Sequence, residues 1–193
     1  MHNVRKLILV LVCLIPVLCF SQEKIEREKR VDEKAVPKAA IEWLYDAFEE
    51  IKKPKWYQEF FESGYSFEAK FFKDGRYFSV EFDSLGIIQD VEIEIPFDEI
   101  QPEVQKNLTA YWEETYTDFK LIKIQRQYSG EPDDLEDFFD ENEVENILEQ
   151  YEIEYIGKEK DGDEQIWEAT FDAQGKFISK RVVIVRIMDN LIF

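Results

Sequence analysis

One phrase occurs twice in the chain and leaves it few folds. Tyr65 to Gly86 reads YSFEAKFFKDGRYFSVEFDSLG, and Tyr151 to Gly175 reads YEIEYIGKEKDGDEQIWEATFDAQG. Each copy has an alternating strand opened by Tyr, an Asp-Gly turn (Asp74 and Gly75, Asp161 and Gly162), a second alternating strand and a closing F-D-x-x-G, Phe82 to Gly86 and Phe171 to Gly175. Alternation of period two with turn residues at fixed places predicts a β-meander built twice. In the first copy Phe78, Val80 and Phe82 claim the core and leave Tyr77, Ser79 and Glu81 outside. The next strand is expected to bury Ile87, Val91, Ile93 and Ile95 and to expose Asp90, Glu92 and Glu94. Gly86 is expected in the left-handed position of a three-residue loop.

Neither meander can cover its own apolar side, and each is preceded by a helix that can. Pro37 starts one, with Ala40, Ile41, Leu44, Ala47, Phe48 and Ile51 at helical spacing until Lys52, Lys53 and Pro54. Pro102 starts the other, with Val104, Leu108, Tyr111, Trp112 and Thr115 as its inward stripe. The expected fold class is α+β: two tandem helix-plus-antiparallel-meander units sharing a sheet of about eight strands, with the helices on one face.

The first 21 residues differ from all of this. Arg5 and Lys6 precede an apolar run from Leu7 to Phe20, and small Ser21 follows. The run is short for a membrane span and suits a signal peptide cleaved after Ser21. Bulky Val12 and Leu18 before Cys13 and Cys19 argue against lipidation. Both cysteines and the single histidine, His2, lie in this segment. The mature chain is left with no disulfide framework, thiol nucleophile, Cys/His zinc cluster or histidine base. The formal charge of −19 falls to −21 once Arg5 and Lys6 leave. Such a surface repels nucleic acid and anionic lipid and favours cations or basic protein patches.

The remaining organisation follows in order. Residues 22–35 form a charged leader with five acids and five bases, expected to be solvated, disordered or loosely helical. Residues 36–100 form the first unit and 101–188 the second. Residues 130–150 are an acidic insertion and 189–193 a tail. Glu131 to Glu149 holds ten acids and no base, yet Leu135, Phe138, Phe139, Val144, Ile147 and Leu148 predict one or two short amphipathic helices, with Asn142 and Glu145 as a capping box.

The Pro-started helix, the Trp- or Phe-rich strand, the Tyr-opened strand, the D-G turn and the F-D-x-x-G turn, given twice after a signal peptide, resemble the PepSY-like family related to the β-lactamase-inhibitor-protein fold of secreted Bacteroidetes proteins. The resemblance covers about 36–187. It implies a shared sheet with one face open, and a binding or inhibitory module rather than an enzyme. The 130–150 insertion and the lack of disulfides depart from the inhibitor proteins.

Strand parity places Phe72 and Tyr77 on the face away from the core, beside Glu68, Glu81, Glu92, Glu94, Glu152, Glu154 and Glu168. Like charges on neighbouring strands destabilise a sheet, so a face keeping seven carboxylates reads as an exposed patch for a basic protein or peptide. Alternatively, Lys70, Arg76 and Lys123 neutralise it and water does the rest. A divalent-cation-binding envelope protein and a carboxylate-based hydrolase are the competing classes. The acids leave room for adventitious calcium, but neither Asp161, Asp163 and Glu164 nor Asp133, Asp134 and Asp137 matches an EF-hand loop. No catalytic residue, cofactor or metal ligand is assigned, and no P-loop, dinucleotide fingerprint or basic aromatic stripe is present. The expected location is periplasmic or secreted, with no transmembrane segment after cleavage.

Overall fold

The computed structural model describes residues 28–61 and 63–184 together with the backbone of Glu23–Ile25. The expected signal peptide, 1–21, and the tail, 189–193, lie outside the described residues. Chain order is β1 (Glu23–Ile25), β2 (Glu28–Val31), α1 (Lys38–Ala47), β3 (Lys55–Phe61), β4 (Gly64–Lys73), β5 (Arg76–Phe82), β6 (Ile88–Glu94), α2 (Pro102–Thr115), β7 (Tyr116–Ser129), α3 (Pro132–Asp140), β8 (Leu148–Glu159), β9 (Glu164–Asp172) and β10 (Phe177–Ile184). Every strand joins one sheet, in the order β1-β10-β9-β8-β7-β6-β5-β4-β3-β2. Nine strands pair antiparallel, and the three-residue β1 adds to β10 in parallel. The α+β class is as expected, and the strand number exceeds the eight expected because the leader contributes β1 and β2.

The leader is therefore structured where it was expected to be disordered or loosely helical. Its charges hid the strand because they are used at the sheet edge. Glu28 meets Lys70 at 3.2 Å, and after β2 the Glu33 carboxylate accepts from the Trp56 indole and the Tyr45 hydroxyl. The insertion forms one helix, α3, within the expected one or two, but no helix starts at the expected capping box of Asn142 and Glu145, and Val144 and Leu148 stay exposed, because Asn142 and Asn146 adopt positive φ and end the helical path.

The three α-helices of the described residues cover the same face. Register settles this: Ala69, Val80, Val91 and Tyr128 lie in one row across β4 to β7, and Ile124, Ile153 and Ala169 continue the same side across β7 to β9. Ala40, Leu44 and Ala47 of α1 pack on the first set, and Val104, Leu108 and Trp112 of α2 on the second. Ile93 touches both clusters. Leu135 of α3 is fully buried with the α1 cluster, Phe139 lies against Phe48, and the Trp43 indole donates to the Pro132 carbonyl at 3.0 Å. The acidic insertion thus pads the helical face and leaves the opposite one alone.

The two F-D-x-x-G turns are built alike. Asp83 Oδ1 accepts from the Leu85 and Ile87 amides, and Asp172 Oδ1 from the Gln174 and Lys176 amides. Gly86 and Gly175 follow at φ 88° and 77°. A side chain would collide as well as strain the backbone: a Cβ on Gly86 would sit 2.8 Å from Pro37 Cβ and 2.9 Å from the Ala40 nitrogen, and one on Gly175 2.9 Å from the Val104 carbonyl oxygen. Each turn is the floor on which a helix start rests. Ile87 belongs to the first turn and is exposed, contrary to expectation, because the pairing shifts after Glu81 and sets Ile88 opposite Phe82. Asp74 and Gly75 form the expected tight turn with both φ positive, whereas Asp161 and Gly162 lie in a longer loop in which Gly162 donates to Glu159.

The sheet is strongly curved. Laid flat, its ten strands would place β1 and β2 about 43 Å apart at roughly 4.8 Å per spacing. Ile25 and Glu28 are only three residues apart, which limits their separation to about 11 Å. The leader therefore draws the two edges of the sheet together, with the helices outside and the other face inside.

The glycine geometry sets an order of sensitivities. Gly75 has φ 83° and nothing within 4 Å of the place a Cβ would take, so Gly75→Ala should cost only the conformational term of about 1 kcal/mol. Gly86→Ala and Gly175→Ala add overpacking and should each cost about 2–4 kcal/mol in urea unfolding. Equal losses at all three positions would contradict the packing of the helix starts on these turns.

Candidate functional site: the acid-rich inner face

Each residue assigned from strand parity lies on the face opposite the helices. Glu68, Glu81 and Asp90 form one row across β4, β5 and β6; Lys70, Ser79, Glu92 and Gln127 form the next across β4 to β7. Phe72 and Tyr77 pair at one end, followed by Glu94, Gln125 and Glu152. Lys123, Glu154, Glu168 and Arg181 make a further row across β7 to β10.

An exposed patch was expected, and only part of the face is one. Phe72 is 58% exposed, Tyr77 63%, and Glu94 is exposed. Glu68, Glu92 and Glu168 are buried, while Glu81, Glu152 and Glu154 are partly so. All six buried polar side chains among the described residues, these three glutamates with Ser66, Ser79 and Gln125, belong to this helix-free face. Curvature is the cause, since side chains on the inside of a curled sheet shade one another. The Arg181 guanidinium on β10 reports the same shape. Burial would lower it, but Glu168, then Glu152 and then Glu81 on β5, five strands away in sheet order, hold it raised.

Among the described residues three cations meet the acids of this face directly. Lys70 lies 2.8 Å from Glu68 and 3.2 Å from Glu28, above the Tyr57 ring. Burial opposes its charge, and Glu68 and Glu28 outweigh burial, so Lys70 keeps its proton above the ordinary lysine range. Glu68 also accepts from Ser79. Lys123 pairs with Glu154 at 2.7 Å, and Arg181 with Glu168. Arg76 instead serves Glu99 at the rim, 2.6 Å away. The carboxylates of Glu28, Glu59 and Glu68 come within 4.8 Å of one another, the one such trio among the described residues, and Lys70 already supplies a cation to two of them.

The middle of the face is served differently. Glu92 accepts from the Gln125 amide at 2.6 Å and the Gln127 amide at 3.4 Å. Burial raises its carboxyl well above the usual range, with Glu152, Asp90 and Glu81 adding and Lys123 opposing. Asp90 is raised in the same sense by burial, then by Glu81 and Glu152. Asp90 Oδ1 and Gln125 Oε1 are closed to solvent and have no hydrogen-bond partner.

Beyond Tyr77 the face opens into a groove of about 680 Å³ whose walls include Phe72, Tyr77, Glu94, Phe97, Ile122 and Lys123. The Phe72 and Tyr77 rings meet edge to face, 5.0 Å between centroids. Here apolar area and acid lie together in reach of a partner. Sequence reasoning left out Asp90, Gln125, Gln127 and Arg181. Parity in β6 already put Asp90 beside Glu92, whereas the β7 residues required knowledge of the register shift between Leu121 and Lys123.

No family model and no curated protein matches the sequence. Solved structures do. A DUF2874 family protein from Bacteroides ovatus matches at 12% identity over 76% of this chain and 87% of its own, TM-score 0.52. A DUF2874 family protein from Bacteroides uniformis matches at 15% over 76% and 89%, TM-score 0.52. A candidate periplasmic protein from Bacteroides eggerthii matches at 10% over 76% and 88%, TM-score 0.50. The fold is thus one found in Bacteroides proteins, in keeping with the resemblance drawn from the two meanders; the PepSY name does not occur among these three.

The Lys70 contacts yield a test. Lys70→Met should destabilise by about 1–3 kcal/mol, below the range for a fully buried pair because the side chain is 39% exposed. Adding Glu68→Gln should restore part of the loss. A double variant less stable than Lys70→Met alone, in urea unfolding, would contradict the pairing.

Proposed function

We propose that the protein is an exported, non-enzymatic module that holds a basic segment of a protein or peptide against its inner face, entering at the Phe72–Tyr77 groove. The carrying observation is the placement of two exposed aromatic rings beside Glu94 at the mouth of a face rich in carboxylates. Aromatic rings bury area at low entropic cost, and the acids attract a cation over distance. The working arrangement is two helix-and-meander units, 36–100 and 101–188, sharing the sheet, with the seam between them crossing the face. Location in the periplasm or outside the cell rests on the leader sequence, and agrees with the description of the Bacteroides eggerthii protein. Among the described residues no helix is long and apolar enough to cross a membrane.

The cation-binding alternative has less support, because Lys70 already lies between Glu28 and Glu68. A hydrolase would need two positioned carboxylates in a cleft; the outer groove offers Asp74, Glu94 and Glu99, of which Glu99 is engaged by Arg76 and Asp74 sits in the exposed turn before Gly75.

The test is surface-based kinetics of the mature chain against a peptide array graded from acidic to basic. Basic peptides should bind, and raising salt from about 0.05 to 0.5 M should slow association more than dissociation. Phe72→Ala with Tyr77→Ala should speed dissociation about tenfold or more, the loss of two anchors of roughly 1 kcal/mol each, while leaving the melting temperature within a few degrees. Salt-independent association together with unchanged dissociation of that variant would overturn the reading.

A further inference from the structure

Among the described residues of the inner face, Asp90 is a carboxyl group that its surroundings do not equip to be an anion. Glu68, Glu154 and Glu168 each have a lysine or arginine at contact distance, and both oxygens of Glu92 accept from glutamine amides. Asp90 stands between these groups. Gln127 beside it favours its charged form, but Oδ1 is sealed from water without a donor. Its direct neighbour across the β5–β6 pair is Glu81, and Glu68 follows in the same row. Glu92 is two residues along the same strand, and Glu152 reaches in from β8. Among the described residues the cations of the face are paired with other acids, Lys70 with Glu68 and Glu28, Lys123 with Glu154 and Arg181 with Glu168. The buried Gln125 Oε1 is a second acceptor lacking a donor.

A buried acceptor without a donor is costly, and a buried carboxylate facing other carboxylates more so. One proton relieves both, since it removes the charge and turns an acceptor into a donor. We infer that the Asp90–Glu92 pair holds one proton at neutral pH, seated by preference on Asp90 Oδ1, and that this proton is released when a basic partner docks on the inner face, so that pH sets the strength of binding.

The inference rests on the proposed binding of a basic partner for its second half only. Two strongly interacting acids titrate as a unit. Burial and the acids on β4, β5 and β8 keep the proton on, and Lys123 works against them. A cationic side chain arriving over the face adds to Lys123. Linkage then requires proton release and tighter binding as pH rises toward the folded midpoint of the pair, up to about tenfold in affinity per pH unit for one proton.

The sign for stability is opposite to that of a salt-bridged acid. A carboxyl whose folded pKa is raised binds more protons folded than unfolded. Stability therefore falls as pH climbs from the unfolded carboxylate range through the folded midpoint. Asp90→Asn keeps the shape and removes the charge, so this variant should be more stable than the parent at pH 8 and lose that advantage on acidification.

Carbon-detected NMR titration of the labelled mature chain, with carboxyls assigned through Asp90→Asn and Glu92→Gln, tests the proton without any partner. One carboxyl should titrate well above the exposed acids and disappear in Asp90→Asn. Titration of both groups with the exposed acids would overturn the inference. Calorimetry of a basic peptide in buffers of differing ionisation enthalpy tests the coupling. Release approaching one proton, absent in Asp90→Asn, is expected; heats independent of buffer would overturn that half. If no basic peptide binds, the proposed function and the coupling fail, and the NMR titration still decides whether the proton is there.

Discussion

Everything notable about the acid face follows from how few residues join β1 to β2. Two residues separate the strand that ends one side of the sheet from the strand that ends the other, and a flat sheet would need the link from Ile25 to Glu28 to span about four times the distance it can reach. The sheet must curl. Once it does, the face without helices becomes the inside of the curve, and residues that strand parity alone would leave in water shade one another. Glu68, Glu92 and Glu168 are buried by this geometry without a layer of helices above them. The leader, rich in charge and poor in apolar residues, is held where it is by its acids, with Glu28 on Lys70 and Glu33 on Trp56 and Tyr45.

Burying acids on a curved inner face changes what they cost. On an open sheet, facing carboxylates repel by a few tenths of a kcal/mol and water screens the rest. Inside the curve each needs a counter-charge or a donor. Lys70, Lys123 and Arg181 meet three of them, and the glutamines at 125 and 127 supply Glu92. The arrangement grades from neutralised acids within to an exposed aromatic pair and Glu94 at the rim. A partner approaching the rim meets apolar contact first and negative potential behind it. Long-range attraction and local burial are thereby divided between different residues of one surface.

Local pattern made much of this legible. Alternation in β4, β5 and β6 placed Phe72, Tyr77 and the acids of those strands on the correct side, and Gly86 of the first F-D-x-x-G turn was read in the left-handed region, where it and Gly175 of the second turn both are. Both helix stripes were visible because Ala40, Leu44 and Ala47, and Val104, Leu108 and Trp112, repeat at helical spacing. What was not legible was non-local. Nothing in QEKIEREKRVDEKA announces a strand, since its stability comes from an edge elsewhere in the sheet. Ile87 and Ile88 exchange roles at a register shift that alternation cannot foresee. Exposure of the acids was misjudged for the same reason, because curvature is set by the distance between chain-distant edges and leaves no periodic mark. The 142–147 stretch kept apolar residues at helical spacing, yet Asn142 and Asn146 turn left-handed and the helix stops at Asp140.

The most direct measurement of the account is the distance between the two sides of the sheet. Cysteines occur only at positions 13 and 19 of the sequence, so spin labels can be placed on the mature chain at Gln58 in β3 and Ile184 in β10. Pulsed electron paramagnetic resonance should give a distance centred at or below about 25 Å, the sum of two strand spacings, the one-residue step from Lys29 opposite Gln58 to Glu28, and the reach from Glu28 to Ile25 opposite Ile184. A distance beyond about 34 Å, the width of seven spacings in a flat sheet, would contradict the curved sheet and with it the inner face.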